Sequence, residues 1–149
     1  MIPETFMIRP DRIANVMGGK AMLRQQVHSI RDLERAIARG LPKRALRSTV
    51  ERALTSKAEV RRTMFRVVPE ATLKRRTRLS PAEGERTERL ARVIAAAEYA
   101  WNDQADAREW LAKPHPELGR RTPIDAAMTE LGARQVEELL DRLVYGIPA

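Results

Sequence analysis

Apolar residues recur at steps of three and four along most of this chain, the period of helices that bury one face. Ile30, Leu33 and Ile37 form the first such face, which stops at Gly40, a residue suited to a left-handed cap. Pro42 opens a second helix with Leu46, Val50 and Leu54, and a third after Ser56 presents Val60 and Met64. The turn Phe65-Arg66-Val67-Val68 leads through Pro69 to a fourth helix ending in Lys74-Arg75-Arg76. The longest helix spans about Pro81 to Trp101, with Leu90, Val93, Ile94, Ala97 and Trp101 on one stripe. After Asn102-Asp103, a short helix containing Trp110-Leu111 closes at Lys113-Pro114-His115-Pro116. Thr122 opens a helix that ends near Gly132, and the last carries Val136, Leu139, Leu140 and Leu143 up to Gly146. Residues 1–25 read as a poorly defined lead-in, with Gly18-Gly19 as a flexible joint.

The starts of these helices are marked. Ser29–Asp32, Ser56–Glu59, Ser80–Glu83 and Thr122–Asp125 each place a hydroxyl three residues before an acid. The hydroxyl accepts from an orphan backbone N–H while the carboxylate reaches back to the cap. Pro81 and Pro123 sit at first helical positions, where a missing N–H costs nothing. Four such signals, each followed by helical spacing, predict an all-α chain.

Charge then divides the chain. Residues 1–80 hold 19 Lys+Arg against 7 Asp+Glu, a net of +12; residues 81–149 hold 9 against 13, a net of −4. The basic half points to a polyanion and the acidic half to a different partner. There is no cysteine, which excludes disulfides and thiolate metal sites. No apolar run is long enough for a bilayer, and Met1-Ile2-Pro3-Glu4 lacks a signal-peptide pattern, so a cytoplasmic protein is expected. His28 and His115 are far apart, and Gly18-Gly19-Lys20 lacks the remaining spacing of a phosphate loop. No enzyme activity, cofactor or metal is expected.

Residues 57–77 have the layout of a helix-turn-helix, with basic residues on the second helix. There Thr72, Arg75 and Arg76 share a face by three- and four-residue spacing, and Leu73 lies elsewhere, free to pack on Val60 and Met64. One face is thus buried while the other offers donors to base edges and, with Lys74, to phosphates. Arg61, Arg62 and Arg66 flank the turn and are expected at backbone phosphates. The turn lacks the glycine often found there, and Val68 makes a poor N-cap.

The C-terminal half carries an ordered set: Trp110-Leu111, Pro114, Leu118-Gly119, Pro123, Asp125, Glu130, Gly132, Val136, Leu140 and Gly146. This set resembles the toxin-binding domain of the Xre/MbcA/ParS antitoxin family. Gly40-Leu41-Pro42 and Thr72-Leu73-Lys74-Arg75-Arg76 are similar to that family's helix-turn-helix elements. The chain departs from the pattern at Arg120, where the family has a second glycine, and near Phe65-Arg66, where it has the turn glycine.

After the lead-in over 1–25, the resemblance, which covers roughly residues 28–149, implies an Xre-like helix-turn-helix DNA-binding region over 26–79 and a C-terminal toxin-binding domain over 80–149. It implies a type II antitoxin that neutralises a RES-domain, NAD-consuming toxin by direct contact and represses its own operon at operator DNA. The assembly implied is a homodimer or a larger toxin–antitoxin hetero-oligomer. The toxin-binding residues expected on this basis are Arg142, Tyr145, Gly146, Ile147, Pro148 and Ala149. The tail from Tyr145 is short and mostly apolar, so it either enters a cleft or packs on its own domain. A net negative C-terminal half would be steered to a pocket built for anionic NAD⁺. Two other readings remain at this point: a stand-alone regulator whose C-terminal domain only dimerises, and a basic RNA- or nucleoid-binding protein.

Overall fold

All four hydroxyl-and-acid pairs cap helices. Ser29 and Ser80 form reciprocal boxes with Asp32 and Glu83, while the Ser56 and Thr122 hydroxyls accept from the N–H groups of Glu59 and Asp125. The computed structural model describes residues 7–146. Among those residues the helices are α1 (Pro10–Val16), α2 (Gly19–Leu23), α3 (Ile30–Arg39), α4 (Lys43–Ala53) and α5 (Lys57–Val67). They continue with α6 (Glu70–Arg75), α7 (Pro81–Trp101), α8 (Gln104–Leu111), a 3-10 turn at Pro116–Leu118, α9 (Pro123–Ala126) and α10 (Glu130–Val144). No strand occurs among the described residues; one antiparallel bridge joins Pro42 to Arg78. The chain is all-α.

α7 is the centre of the packing. It contacts α1, α3, α4, α5, α8 and α10, and Leu90, Ala91, Val93, Ile94 and Ala95–Ala97 are buried along it. Alanines on several sides of one helix let neighbours approach it from all of those directions. The buried residues form one cluster that runs from Ile13 to Leu140. This longest helix is thus the axis against which helices from both halves of the chain pack.

Several expectations are corrected. Residues 10–23, read as part of a lead-in, form α1 and α2, and Ile13, Ala14, Val16, Met17 and Leu23 are buried. Their mixed spacing and the two glycines hide this from a periodicity count. Ile30, placed on the buried face of α3, is 57% exposed. Gly132 does not end a helix: α9 is a single turn, and Thr129 caps α10 by accepting from the Gly132 N–H at 3.0 Å. α5 continues through Val67, so the turn before α6 is only Val68-Pro69.

That turn needs no glycine. Val68 is extended (φ −136°, ψ 121°), the backbone favoured before a proline, and Pro69 rather than Val68 is the N-cap. The Gly119-Arg120 loop does need left-handed backbone, at φ +66° and +65°. It is closed by the Arg120 N–H on the His115 carbonyl, and the His115 N–H on that of Arg121. An arginine therefore holds a conformation that a Cβ disfavours by about 1 kcal/mol. Arg120→Gly is expected to raise the midpoint of thermal unfolding by about 2–4 °C, partly offset by the freer unfolded glycine. A calorimetric scan showing a lower midpoint would mean that the arginine side chain supports the loop.

Candidate nucleic-acid and partner interfaces

The helix-turn-helix is held by its apolar residues. Leu73 of α6 is buried in the same cluster as Val60 and Met64 of α5, as its spacing predicts. Lys43 at the start of α4 donates to the Leu73 carbonyl at 2.9 Å, which ties the end of α6 to α4. Arg86 of α7 donates to the Val67 carbonyl at 2.7 Å, which caps the end of α5.

The expected DNA-contacting residues are placed unequally. Arg61, Arg62, Lys74 and Arg75 are exposed, and Thr72 is half-buried. The Arg61 guanidinium lies over the Phe65 ring, 5.9 Å from its centroid, and Lys74 pairs with Glu70 one turn back at 3.0 Å. Arg76, expected on the α6 face, lies just past the helix end and turns back to Glu83 at 3.0 Å. Arg66 pairs with Asp125 of α9 at 2.5 Å. Both arginines are engaged within the chain, which spacing alone does not reveal.

Glu83 is nearly fully buried, and burial alone would push its carboxyl up. The Ser80 N–H and hydroxyl, helped by Arg76, outweigh this and hold it below the ordinary glutamate range. A carboxylate that must stay charged thus anchors the start of α7 and draws the basic segment after α6 onto it.

The C-terminal helices meet the rest of the chain through polar contacts that the sequence reading missed. Arg89 of α7 donates to the Ala127 and Met128 carbonyls at 3.1 and 2.7 Å, satisfying the orphan end of α9. Arg108 of α8 donates to the Arg52 carbonyl, and Arg52 makes a two-pronged pair with Glu98 at 2.7 and 2.9 Å. The signal for Arg89 was its three-residue spacing from Arg92 and Arg86 on α7, but nothing local says that backbone carbonyls lie opposite.

Between α7 and α10, Arg92 faces Glu88 and Glu137 at 3.3 Å and Glu130 at 3.8 Å. Burial pushes the Glu88 carboxyl up; Arg92 opposes this, while Glu137 and Glu130 add to it. Burial raises Glu137 as well, against Arg92. A carboxyl raised by folding favours the folded state at low pH, and that stability is lost as pH rises through the raised value. Glu88→Gln is therefore expected to melt above the unmodified chain at pH 7.5. The difference should close as pH falls below the ordinary glutamate value of 4.5. A variant that melts lower at neutral pH would show that Glu88 is needed as the charged partner of Arg92.

Of the expected toxin-binding residues, Arg142 pairs with Glu117 at 2.9 Å. Tyr145 is 47% exposed at the end of α10, and Gly146 has a φ of +75°. Ile147, Pro148 and Ala149 lie outside the described residues. The apolar motif residues are packing: Leu111, Leu118, Pro123, Val136 and Leu140 are buried, and Trp110 meets His115 edge-on with centroids 6.3 Å apart, while Pro114, Gly119, Glu130 and Gly146 are exposed. No described helix is long and apolar enough to cross a membrane.

Residues 32–92 match the antitoxin Xre-like helix-turn-helix domain, and residues 96–146 match the antitoxin Xre/MbcA/ParS C-terminal toxin-binding domain. The two matches meet inside α7. The chain is similar to the antitoxin Xre of Yersinia enterocolitica, 36% identical over 85 residues, covering 54% of this chain and 57% of that protein. It is also similar to the antitoxin Xre of Pseudomonas putida, 33% identical over 84 residues, covering 54% of this chain and 53% of that protein. The chain thus spans about half the length of the curated relatives it matches.

Proposed function

We propose that this chain, as a member of the Xre/MbcA/ParS antitoxin family, neutralises a cognate RES-domain toxin and represses its own operon. The toxin, an NAD-consuming enzyme, is held by the C-terminal helices and by Arg142, Tyr145, Gly146, Ile147, Pro148 and Ala149. Operator DNA receives α6 in its major groove, with Thr72 and Arg75 at base edges and Arg61, Arg62 and Lys74 at phosphates. Arg66 and Arg76 join them only after releasing Asp125 and Glu83. The working assembly is a homodimer or a toxin–antitoxin hetero-oligomer in the cytoplasm, and the NAD chemistry belongs to the partner.

The observation that carries this reading is the two family matches falling in order on one chain, with a net of +12 before residue 81 and −4 after it. The support for docking is that α6 buries Leu73 and leaves Lys74 and Arg75 exposed. The decisive experiment expresses the product of the adjacent gene alone and together with this chain, following cellular NAD⁺. The expected result is a collapse of NAD⁺ that this chain prevents. A well-expressed neighbour that leaves NAD⁺ unchanged would move the reading to a stand-alone DNA-binding regulator.

A further inference from the structure

Beside the helix-turn-helix, the ends of α2 and α3 and the start of α4 enclose a cleft of about 590 Å³. Its charged lining among the described residues is Arg24, Arg39, Arg44 and Arg78, with no carboxylate. Arg39 donates to the Gln25 side-chain oxygen and Arg78 to the Gly40 carbonyl at 2.7 Å. These acceptors are neutral, so they orient the guanidiniums without cancelling their charge.

The arrangement works against the chain's own stability in two ways. Four like charges around one concavity repel, and no carboxylate among the described residues lines it to offset them. Arg24 also ends α2 in left-handed backbone (φ +57°, ψ +26°), at a position where glycine avoids the strain. Both features have a use if the cleft receives a polyanion, because guanidinium forks match phosphate oxygens in geometry as well as charge.

The position of the cleft says which polyanion. Arg78 is three residues beyond Arg75, its segment is bridged to Pro42, and Lys43 ties α4 to the Leu73 carbonyl. The basic surface therefore continues from the end of α6 into the cleft. We infer that the cleft of Arg24, Arg39, Arg44 and Arg78 grips the phosphodiester backbone of DNA flanking the bases faced by α6. This rests on the DNA-binding part of the proposed function and adds an anchor outside the helix-turn-helix. Phosphate contacts carry no base information, so the anchor adds affinity and register, not sequence choice.

The test uses the full chain and fluorescent duplexes tiled across the DNA immediately upstream of its gene. The tightest duplex is compared with a version trimmed at its flanks, by anisotropy at several salt concentrations. Arg24→Gly combined with Arg44→Ala is expected to weaken the long duplex about tenfold or more and to lower its salt slope by about two. It should bind the trimmed duplex as the unmodified chain does. Glycine suits the backbone at position 24, so this variant should melt no lower, and Arg24→Gly alone is expected to show the same pattern with a slope change of about one. Arg75→Ala should instead weaken both duplexes.

If the cleft variant binds both duplexes with unchanged affinity and slope while Arg75→Ala is impaired, the cleft is not an anchor and the DNA-binding reading stands. If the unmodified chain binds none of the upstream duplexes, both fall. Inorganic tripolyphosphate distinguishes a free anion from DNA. A variant that loses tripolyphosphate binding but keeps both duplexes would overturn the assignment to DNA.

Discussion

Replacing Gly132 with alanine is expected to destabilise the chain by roughly 3 kcal/mol, the upper range for overpacking, and to lower its thermal midpoint by about 6–12 °C. A Cβ at this position would lie 1.8 Å from the Ala126 carbonyl oxygen, 2.7 Å from that residue's carbonyl carbon and 2.9 Å from the Thr129 hydroxyl. Two of the three atoms are backbone, so no rotamer change makes room. α9 must move away from α10, breaking the Thr129 cap on the Gly132 N–H or the Arg89 bonds to Ala127 and Met128. Gly119→Ala is the control. Its Cβ would meet nothing within 4 Å, but φ is +66°, so only the conformational cost of about 1 kcal/mol applies. Differential scanning calorimetry of both variants checks the ranking. Equal midpoints would mean that the helices separate easily and that Gly132 is not chosen for close approach.

Gly132 also shows what the sequence can and cannot say. A glycine near the end of an apolar period reads as a helix stop, because its usual local role is to supply left-handed backbone. Its role here is set by a carbonyl six residues earlier, brought close by a one-turn helix too short to leave a period. The caps at Ser29, Ser56, Ser80 and Thr122 were legible because hydroxyl and acid lie on the same turn as the N–H groups they satisfy. The α7 stripe was legible because it repeats over 21 residues. α1 and α2 were not, since seven and five residues carry too little period to stand out.

The family signature was readable for a related reason, and it is a poor guide to contacts. Leu111, Leu118, Pro123, Val136 and Leu140 are buried, so the motif records how the C-terminal helices pack. Asp125 has a different role: it is half-exposed and joined to Arg66 across 59 positions of sequence. A spacing rule sees Arg66 as one more cation beside a turn; only the folded chain shows it engaged.

That distinction separates two variants. Arg75→Ala is expected to weaken binding to upstream DNA about tenfold or more while NAD⁺ protection in co-expressing cells stays intact. Arg75 is exposed and donates from Nε to the Ala71 carbonyl over a long 3.4 Å, with no ion pair among the described residues, so its guanidinium can reach a guanine edge without breaking one. A bidentate contact of that kind is worth about 1–3 kcal/mol, and with Arg75 absent from the C-terminal helices its removal leaves the proposed toxin-binding surface as it was. Arg66→Ala should weaken DNA binding less, because Arg66 must first leave Asp125. Asp125→Asn should then strengthen DNA binding a few-fold by releasing Arg66 to a phosphate, at little cost in stability, since a half-exposed pair contributes at most about 1 kcal/mol. Anisotropy titrations of the three variants, run beside the NAD⁺ measurement, decide the matter. Loss of NAD⁺ protection in Arg75→Ala would show that α6 also takes part in holding the toxin, and the division of labour between the two ends of α7 would have to be abandoned.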